Sequence, residues 1–208
     1  MTVVGALHER VVFGRRVRAL SRAIADLIPP NARVLDVGCG DGSIDGLIQQ
    51  SRPDVAIQGV DVLVRPGTKI PVQKFDGEVL PFEDAAFDVV MFVDVLHHTN
   101  SPEKLLAEAC RVSRGCLVIK DHTNDPPLGN VRLRFMDWVG NAHHGVVLPY
   151  NYMSAATWSS AWEKLGLHVS AYQTQVGLYP FPADLIFERG LHFVSRLEKE
   201  ARPLAAPG

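Results

Sequence analysis

The run FDVVMFVD at residues 87–94 constrains the fold of this chain more than any other stretch. Apart from its aspartates it is apolar on both alternating faces, which is typical of a strand that is buried on both sides. Strands of that kind occur in parallel sheets that helices cover on both faces. The chain is therefore expected to place amphipathic helices between its strands.

Strand-like and helix-like segments do alternate along the chain. This alternation indicates βαβ units and a mostly parallel sheet, so the predicted fold class is α/β. Further strands are predicted at 32–38, 56–62, 72–75, 116–121 and 167–175, and a seventh at 191–198, where a helix is the alternative. Helices are predicted after Ser43, which can cap the first of them, after Ser101-Pro102, and over 154–165.

The length of 208 residues suits one domain with a sizeable core. Residues 1–30 precede the first strand and are predicted to form a helical segment over the mouth of the sheet. Residues 31–208 are predicted to form the domain itself. Within it, residues 121–153 are a long insert after the fifth strand, with a short helix expected near 130–139. Inserts of this length are usually lids or binding loops.

Composition narrows the classes of partner and the compartment. The net charge is −2, without clustered Lys and Arg, which is not typical of a nucleic-acid-binding protein. The three cysteines have no CxxC spacing, which favours a reducing compartment without structural zinc. No apolar run reaches the roughly 18 residues that span a bilayer, and the N-terminus does not resemble a signal peptide. We therefore expect a cytoplasmic protein with no membrane partner.

The segment VLDVGCGDG at 34–42 ends the first predicted strand in a glycine-rich turn. In open parallel sheets, ligands bind beyond the carboxyl ends of the strands, and Gly38, Gly40 and Gly42 would let a ligand lie against bare backbone there. Spacing of this kind is also found in dinucleotide-binding loops, so the glycines alone do not identify the ligand.

The acids around this turn favour one ligand. Asp36 and Asp41 would repel a phosphate and attract a cationic group. Asp61 ends the second strand at about the 20-residue offset expected for an acid that binds a ribose. A ribose with a cationic amino-acid tail and no phosphates describes S-adenosylmethionine.

The segments VLDVGCGDG, GVDV and FDGEVLPFEDAAFDVVMFVDVLHH resemble the successive motifs of class I S-adenosylmethionine-dependent methyltransferases. The resemblance covers about residues 30–120, and the helix and strand pattern of 154–198 is consistent with it. It implies a Rossmann-like three-layer sandwich with a seven-stranded, mostly parallel sheet in the order 3-2-1-4-5-7-6, whose seventh strand is antiparallel. It also implies S-adenosylmethionine as the cofactor, with S-adenosylhomocysteine as the product.

The resemblance implies cofactor contacts for particular residues. Some of these residues also have a simpler structural explanation, since Asp36 could bond its own loop, Asp76-Gly77 is a good turn sequence and Asp94 could cap a helix. The implied contacts are Asp36, Gly38, Cys39 and Gly40 for the methionine part, Asp61 for both ribose hydroxyls, Val62, Asp76 and Gly77 for the adenine, and Val93, Asp94 and His98 for the sulfonium and methionine tail.

Histidines concentrate where a substrate would meet the cofactor. Five of the eight lie between residues 97 and 144, and histidine has the pKa best suited to proton transfer near neutral pH. The predicted catalytic base is His122, oriented by Asp121 or another acid, with His143 or His144 next. Adjacent histidines diverge and do not chelate a metal by themselves, so no metal site is predicted. A site would need ligands from separate loops and a carboxylate such as Asp121.

The insert has an aromatic character that suggests a lid over a mainly apolar substrate. We expect Leu133, Met136 and Val139 to face inward, with Phe135 and Trp138 close by. Asn124-Asp125-Pro126-Pro127 is similar to a motif of DNA-adenine methyltransferases. It follows the fifth strand instead of the fourth and lacks the aromatic residue that stacks on a flipped base, so we interpret it as a turn.

The sequence therefore predicts an enzyme that methylates a small molecule in biosynthetic or secondary metabolism, with a hydroxyl oxygen as the favoured acceptor. Carbon and nitrogen acceptors stay open, as do a cofactor-binding scaffold without activity and the choice between monomer and homodimer. A nicotinamide-dependent oxidoreductase is disfavoured because Ser43 stands where its loop would carry a third glycine.

Overall fold

The computed structural model describes residues 14–141 and 150–200. Seven strands and six helices alternate within these residues, and a single 3₁₀ turn, Leu96–His98, follows the fourth strand. The strands are β1 (Arg33–Val37), β2 (Ala56–Asp61), β3 (Val72–Lys74), β4 (Phe87–Val93), β5 (Ser113–His122), β6 (Leu167–Gln173) and β7 (His192–Lys199). The helices are α1 (Gly14–Ala25), α2 (Ser43–Ser51), α3 (Pro102–Val112), α4 (Gly129–Asn141), α5 (Ala155–Lys164) and α6 (Asp184–Phe187).

The described strands form one sheet in the order β3-β2-β1-β4-β5-β7-β6. The pairs among β1 to β5 are parallel, and β7 runs antiparallel to both of its neighbours. This confirms the predicted strand order. It also shows that the segment predicted at 191–198 is a strand and not a helix. The carboxyl ends of β1, β2, β4 and β5 consequently meet at one edge of the sheet.

The central strand β4 is buried on both faces, as its apolar run predicts. Val90 and Phe92 pack into the core beneath α3 and α5, which also contains Trp158. Val89 and Met91 pack into the core on the other face, beneath α1 and α2. Helices therefore cover both faces of the sheet, which is the three-layer arrangement that the resemblance implies.

The three predicted helices begin within one residue of the expected positions. Ser154 caps α5 by accepting the backbone N–H of Thr157, and Pro102 lies in the first turn of α3. The predicted Ser43 cap is wrong: Gly42, at φ 72°, is the cap of α2, and the Ser43 hydroxyl donates to Asp41 instead. Glycine is required there because a Cβ would lie 2.7 Å from a side-chain atom of Ile70.

The insert contains a helix, as predicted. This helix, α4, spans Gly129–Asn141 and so extends beyond the predicted 130–139 at both ends. The Asn-Asp-Pro-Pro segment before it is a turn. Asp125 accepts hydrogen bonds from the Thr123 hydroxyl and from the backbone N–H of Ala155. Its carboxylate thus fastens the insert to the start of α5, which is a structural role for this acid.

Candidate active site

The glycine loop after β1 is held in place by the neighbouring strand and turn. The backbone N–H groups of Gly38 and Cys39 both donate to the Val60 carbonyl of β2, at 2.7 and 3.3 Å. Gly38 has φ 76°, and a Cβ there would lie 2.6 Å from the Val95 side chain. Gly40 donates its N–H to Asp61 Oδ2 at 2.8 Å. Only glycine fits Gly38, because both the backbone conformation and the space exclude a side chain.

A cavity of about 290 Å³ opens on one side of this loop. Asp61 projects into it from the end of β2, and its Oδ1 accepts the backbone N–H of Leu63 at 2.9 Å. Asp76 Oδ1 accepts two backbone N–H groups, which lower the pKa of this carboxyl and keep it ionised. Among the predicted cofactor residues, this cavity is lined by Gly38, Asp61, Val62, Asp76, Gly77 and His98.

A second cavity of about 390 Å³ lies on the other side of the loop, and His98 lines both. Arg16, Val17 and Leu20 of helix α1 line it, together with Met136 of α4. Among the predicted residues, this cavity is lined by Cys39, Gly40, Val93, Asp94, His98 and His122. The structure thus brings the predicted cofactor residues and the predicted base to one edge of the sheet.

Asp36 lines neither cavity and forms a buried acid pair with Asp45 of α2. The two residues are 2% and 1% exposed. Asp36 Oδ1 and both carboxyl oxygens of Asp45 have no hydrogen-bond donor within the described residues. Burial and repulsion by Asp45 raise the pKa of Asp36 well above its usual range, and burial raises the pKa of Asp45 to about 6. A proton on one of the two carboxyl groups therefore stabilises the pair near neutral pH.

We expect Asp45→Asn to stabilise the protein at pH 8 by roughly 1–3 kcal/mol in the absence of cofactor. Because the pKa of Asp45 is raised in the folded protein, its contribution to the free energy of unfolding is largest below about pH 4 and is lost as the pH rises through 6. Urea unfolding at pH 4 and pH 8 measures the two free energies. Asp84→Asn, at an exposed carboxylate, is the control. A variant effect of equal size at both pH values would contradict the proton linkage.

Asp94 carries two ion pairs at the mouth of the second cavity. It follows β4 at φ 59°, and its carboxylate contacts Lys120 of β5 and Arg16 of α1. Burial acts to raise the pKa of Asp94, but Lys120 and Arg16 together hold it well below its usual range. The ammonium of Lys120 is fully buried and also lies 3.2 Å from His192 Nδ1. These contacts tie α1, β5 and β7 to the end of β4.

Asp121 is the hub of a second buried network. Its Oδ2 accepts the backbone N–H of Leu96 at 3.1 Å, and its Oδ1 lies 2.6 Å from His97 Nδ1. Oδ1 also accepts the backbone N–H of His122 at 2.8 Å, and His122 Nδ1 is 3.3 Å away. Asp121 therefore contacts both the ring of His122 and the 3₁₀ turn that carries His97 and His98.

His97, Asp121 and His122 converge closely enough to raise the question of a metal, since one ligand atom from each lies within 4.8 Å of the others. The two Asp121 oxygens already accept backbone and imidazole N–H groups. The buried ammonium of Lys120 also acts on His122 electrostatically and disfavours its protonated form. A second cation beside this ammonium would be repelled, so we interpret the cluster as a hydrogen-bonded brace.

Burial and the nearby Lys120 lower the pKa of His122 to about 4. The imidazole is therefore neutral at pH 7 and can accept a proton. Asp121 and Asp94, whose oxygens lie 3.3 and 3.6 Å from Nδ1, would stabilise the ring once it is charged. The pKa of the Cys39 thiol is raised, first by burial, so this cysteine stays protonated.

Some predicted residues fall elsewhere, and some site residues were missed. His143 and His144 lie outside the described residues. Phe135 and Trp138 are 51% and 61% exposed and line neither of the two cavities, and the lid stays a prediction. Leu133 is buried as expected. No local sequence pattern predicts that Arg16 reaches the site. Lys120 was predictable in part, because a lysine inside the apolar run CLVIKD needs a buried partner.

Within residues 14–141 and 150–200, no helix is both long and apolar enough to cross a bilayer. The three cysteines are not paired in disulfides.

The sheet order and the glycine loop define a Rossmann-like methyltransferase fold. Residues 9–172 match the profile of the family described as "Methyltransferase domain", and the chain belongs to that family. A demethylmenaquinone methyltransferase of Renibacterium salmoninarum is 28% identical over 179 residues, which are 82% of this chain and 73% of that protein. A ubiquinone/menaquinone biosynthesis C-methyltransferase of Desulfotalea psychrophila is 31% identical over 144 residues, which are 64% of this chain and 58% of that protein.

A solved structure supports the same fold. The putative methyltransferase of Haloferax volcanii, in complex with the Trm112 methyltransferase activator, superposes with a TM-score of 0.70 at 15% identity. The superposition covers 97% of both chains. At this identity the similarity concerns the fold alone.

The protein is an S-adenosylmethionine-dependent methyltransferase, and its site fits that cofactor. The cavity beside β2 presents the carboxylates of Asp61 and Asp76, which suit hydroxyl and amino donors. A Cβ at Gly40 would meet only the Arg65 guanidinium, at 3.9 Å, so its backbone is open to a ligand.

Proposed function

We propose that this enzyme methylates an acidic hydroxyl of a small molecule, such as a phenol, an enol or a carboxylic acid, with His122 as the proton acceptor. The observation that carries the proposal is the position of His122 in the lining of the 390 Å³ cavity, where oxygens of Asp121 and Asp94 lie 3.3 and 3.6 Å from its Nδ1. S-adenosylmethionine supplies an electrophilic methyl group on a positively charged sulfur. The acceptor oxygen forms the new bond to that methyl carbon as the carbon–sulfur bond breaks.

The residues of this chain do the positioning and the proton transfer. His122 takes the hydroxyl proton, and Asp121 keeps the ring in one orientation through its hydrogen bonds. A base whose pKa is about 4 is weak. It therefore suits an acceptor whose own hydroxyl is acidic, and it favours phenols and enols over aliphatic alcohols. Val17, Leu20 and Met136 supply an apolar wall that excludes water from the reacting atoms.

We further propose that those predicted residues that line the two cavities make the cofactor contacts that the resemblance implies. Asp61 would accept from the ribose hydroxyls, and Asp76 from the adenine amino group, since both lie in the 290 Å³ cavity. Val93, Asp94 and His98 would lie by the sulfonium, since all three line the second cavity next to Gly40.

A ring carbon is the second candidate acceptor. The relative from Desulfotalea psychrophila carries the name C-methyltransferase, and deprotonating a phenol or enol also activates the carbon next to it. The same base would serve both outcomes, so the site does not need to be rebuilt to change the acceptor atom.

The test is product formation from isotopically labelled S-adenosylmethionine with a series of phenols of decreasing pKa, carboxylic acids and quinols. We expect His122→Gln to lower kcat by about 10²- to 10⁴-fold, with a smaller loss for the more acidic phenols. S-adenosylmethionine affinity, measured by calorimetry, should stay nearly unchanged.

Three results would contradict parts of this proposal. An unchanged kcat would place the base elsewhere. A loss that is equal for all phenols, together with weaker cofactor binding, would make His122 a structural residue. Products that carry the methyl group on carbon, identified by mass spectrometry and NMR, would favour the second candidate.

A further inference from the structure

Helix α4 carries a row of exposed apolar side chains that are not buried in the core of the protein. Val131, Phe135 and Trp138 are 63%, 51% and 61% exposed, and Leu128, just before the helix, is 73% exposed. At 100° per residue, Val131, Phe135 and Trp138 fall within about 60° of one another around the helix axis, and Leu128 precedes the helix with a backbone φ of 58°. The side chains therefore form one stripe along the outer surface and are not scattered.

The opposite side of α4 is already satisfied by packing. Leu133 is 1% exposed and packs with Tyr152 and Leu191. Met136 lines the 390 Å³ cavity that contains His122, which we call the acceptor cavity. The exposed stripe is thus a second apolar face on a helix whose first apolar face builds the site.

The short helix α6 extends this surface sideways. Phe135 stacks on Phe187 with ring centroids 6.1 Å apart, and Arg132 donates from Nε to the Ile186 carbonyl at 2.6 Å. Ile186 and Leu185 are 55% and 39% exposed. We call the set Leu128, Val131, Phe135, Trp138, Leu185 and Ile186 the α4 face. Monomeric proteins rarely leave so continuous an apolar set open to water without a use for it.

Arginines border the α4 face. The two acids on its helices are Asp137, about 100° outside the stripe on the helical wheel, and Asp184, which is half-buried with a buried Oδ1. Arg132 and Arg134 fall on the two edges of the stripe on the helical wheel, and Arg134 is exposed while its guanidinium lies over the Tyr150 ring at 5.2 Å. Arg189, just after α6, is also exposed. The nearby Glu188 is buried and accepts the backbone N–H groups of Val176 and Gly177, so its charge points inward.

We propose that the α4 face docks this enzyme on an anionic lipid bilayer. An apolar stripe with aromatic residues, bordered by arginines, is the pattern of helices that lie in the bilayer interface. The apolar side chains would enter the acyl boundary, and the arginines would meet the lipid phosphates. Because α4 also lines the acceptor cavity, docking places that cavity next to the membrane surface. The composition of the chain gives no sign of a membrane partner, because the residues of one helix face hardly change the totals for the whole chain.

The chain contains its own reporter for this contact. Of its three tryptophans, Trp158 and Trp162 are 1% and 6% exposed, and Trp138 is 61% exposed on the proposed docking face. The probe is vesicles of phosphatidylglycerol and phosphatidylcholine, with pure phosphatidylcholine vesicles as the comparison. We expect the emission of Trp138 to shift to shorter wavelength with the anionic vesicles and to be quenched by brominated acyl chains. The shift should weaken as salt is added.

Variants separate the apolar and the charged contributions. Phe135→Ser should lower the vesicle partition coefficient by about tenfold or more. Arg134→Gln should lower it about fivefold on anionic vesicles and leave it unchanged on phosphatidylcholine. Val169→Ser removes a similarly exposed apolar residue from β6 and should have no effect. Thermal unfolding checks that each variant is folded, and Arg134→Gln keeps the test valid if Phe135→Ser is not.

No shift of Trp138 at millimolar lipid would overturn the proposal. So would a loss of binding in Val169→Ser equal to that in Phe135→Ser. A shift that grows with protein concentration without lipid would instead show a second copy of the chain on the α4 face, and would also overturn it. These measurements use neither cofactor nor acceptor, so they succeed or fail independently of the proposed methyl transfer.

Discussion

Replacing Asp61 with alanine is expected to weaken S-adenosylmethionine binding by about 2–4 kcal/mol, which is roughly 30- to 1000-fold in Kd. The carboxylate lies in the 290 Å³ cavity at the end of β2, where it would accept from both ribose hydroxyls. It also accepts the Gly40 N–H and so braces the glycine loop. The substitution therefore removes ligand contacts and loosens the loop that forms the floor of the site. Isothermal titration measures the loss.

Two further variants separate these effects. Asp61→Asn keeps a carbonyl oxygen for the Gly40 N–H but loses the charge, so it should bind the cofactor better than the alanine variant and worse than wild type. Asp76→Ala removes a carboxylate of the same cavity that would bond one amino group. It should weaken cofactor binding by a smaller factor than Asp61→Ala does. Unchanged affinity in Asp61→Ala would show that the ribose does not bind at the end of β2.

Replacing Asp121 with alanine is expected to destabilise the fold by about 3–5 kcal/mol. The carboxylate is fully buried. Its loss removes the hydrogen-bond acceptor of the backbone N–H groups of Leu96 and His122 and of His97 Nδ1. Urea unfolding at pH 7 measures the change in the free energy of unfolding. Asp84→Ala is the matched control. Its exposed ion pair with Arg111 should contribute less than about 1 kcal/mol.

The Asp121 effect has a defined pH dependence. Burial acts to raise the pKa of Asp121, but His97 and the hydrogen bonds from His122 and His97 hold it well below its usual range. A carboxyl with a lowered pKa contributes stability that is present above about pH 4 and lost as the pH falls further. The difference between wild type and Asp121→Ala should therefore shrink in acid. A difference that stays constant from pH 7 to pH 3 would show that the carboxylate contributes through packing and not through its charge.

Much of the fold was predictable because its signals are local. The apolar run of β4 reports burial on both faces, and the alternation of strands with capped helices specifies a parallel sheet. The antiparallel β7 was a different case. Its sequence is compatible with either a strand or a helix, and the resemblance to a known family supplied its place in the order.

The site was predictable to the extent that its residues lie at strand ends. Gly38, Gly40, Asp61, Asp94 and His122 each follow or end a strand, and parallel strands bring their carboxyl ends together. Side chains that reach the site through long-range contacts were not predictable. Arg16 meets Asp94 across 78 positions of sequence, and no local pattern reports such a pairing.

The sequence by itself therefore determined the α/β class, the glycine loop and the acids at the ends of β2 and β4, because these depend on periodicity and on turn chemistry within a few residues. Only the tertiary structure decided that Asp36 shares its burial with Asp45 and that Asp121 braces the turn of His97. The exposure of Phe135 and Trp138 was likewise decided there. These features depend on which elements pack together, and the free energy of burying, pairing or exposing a side chain is set by neighbours that are distant in the chain.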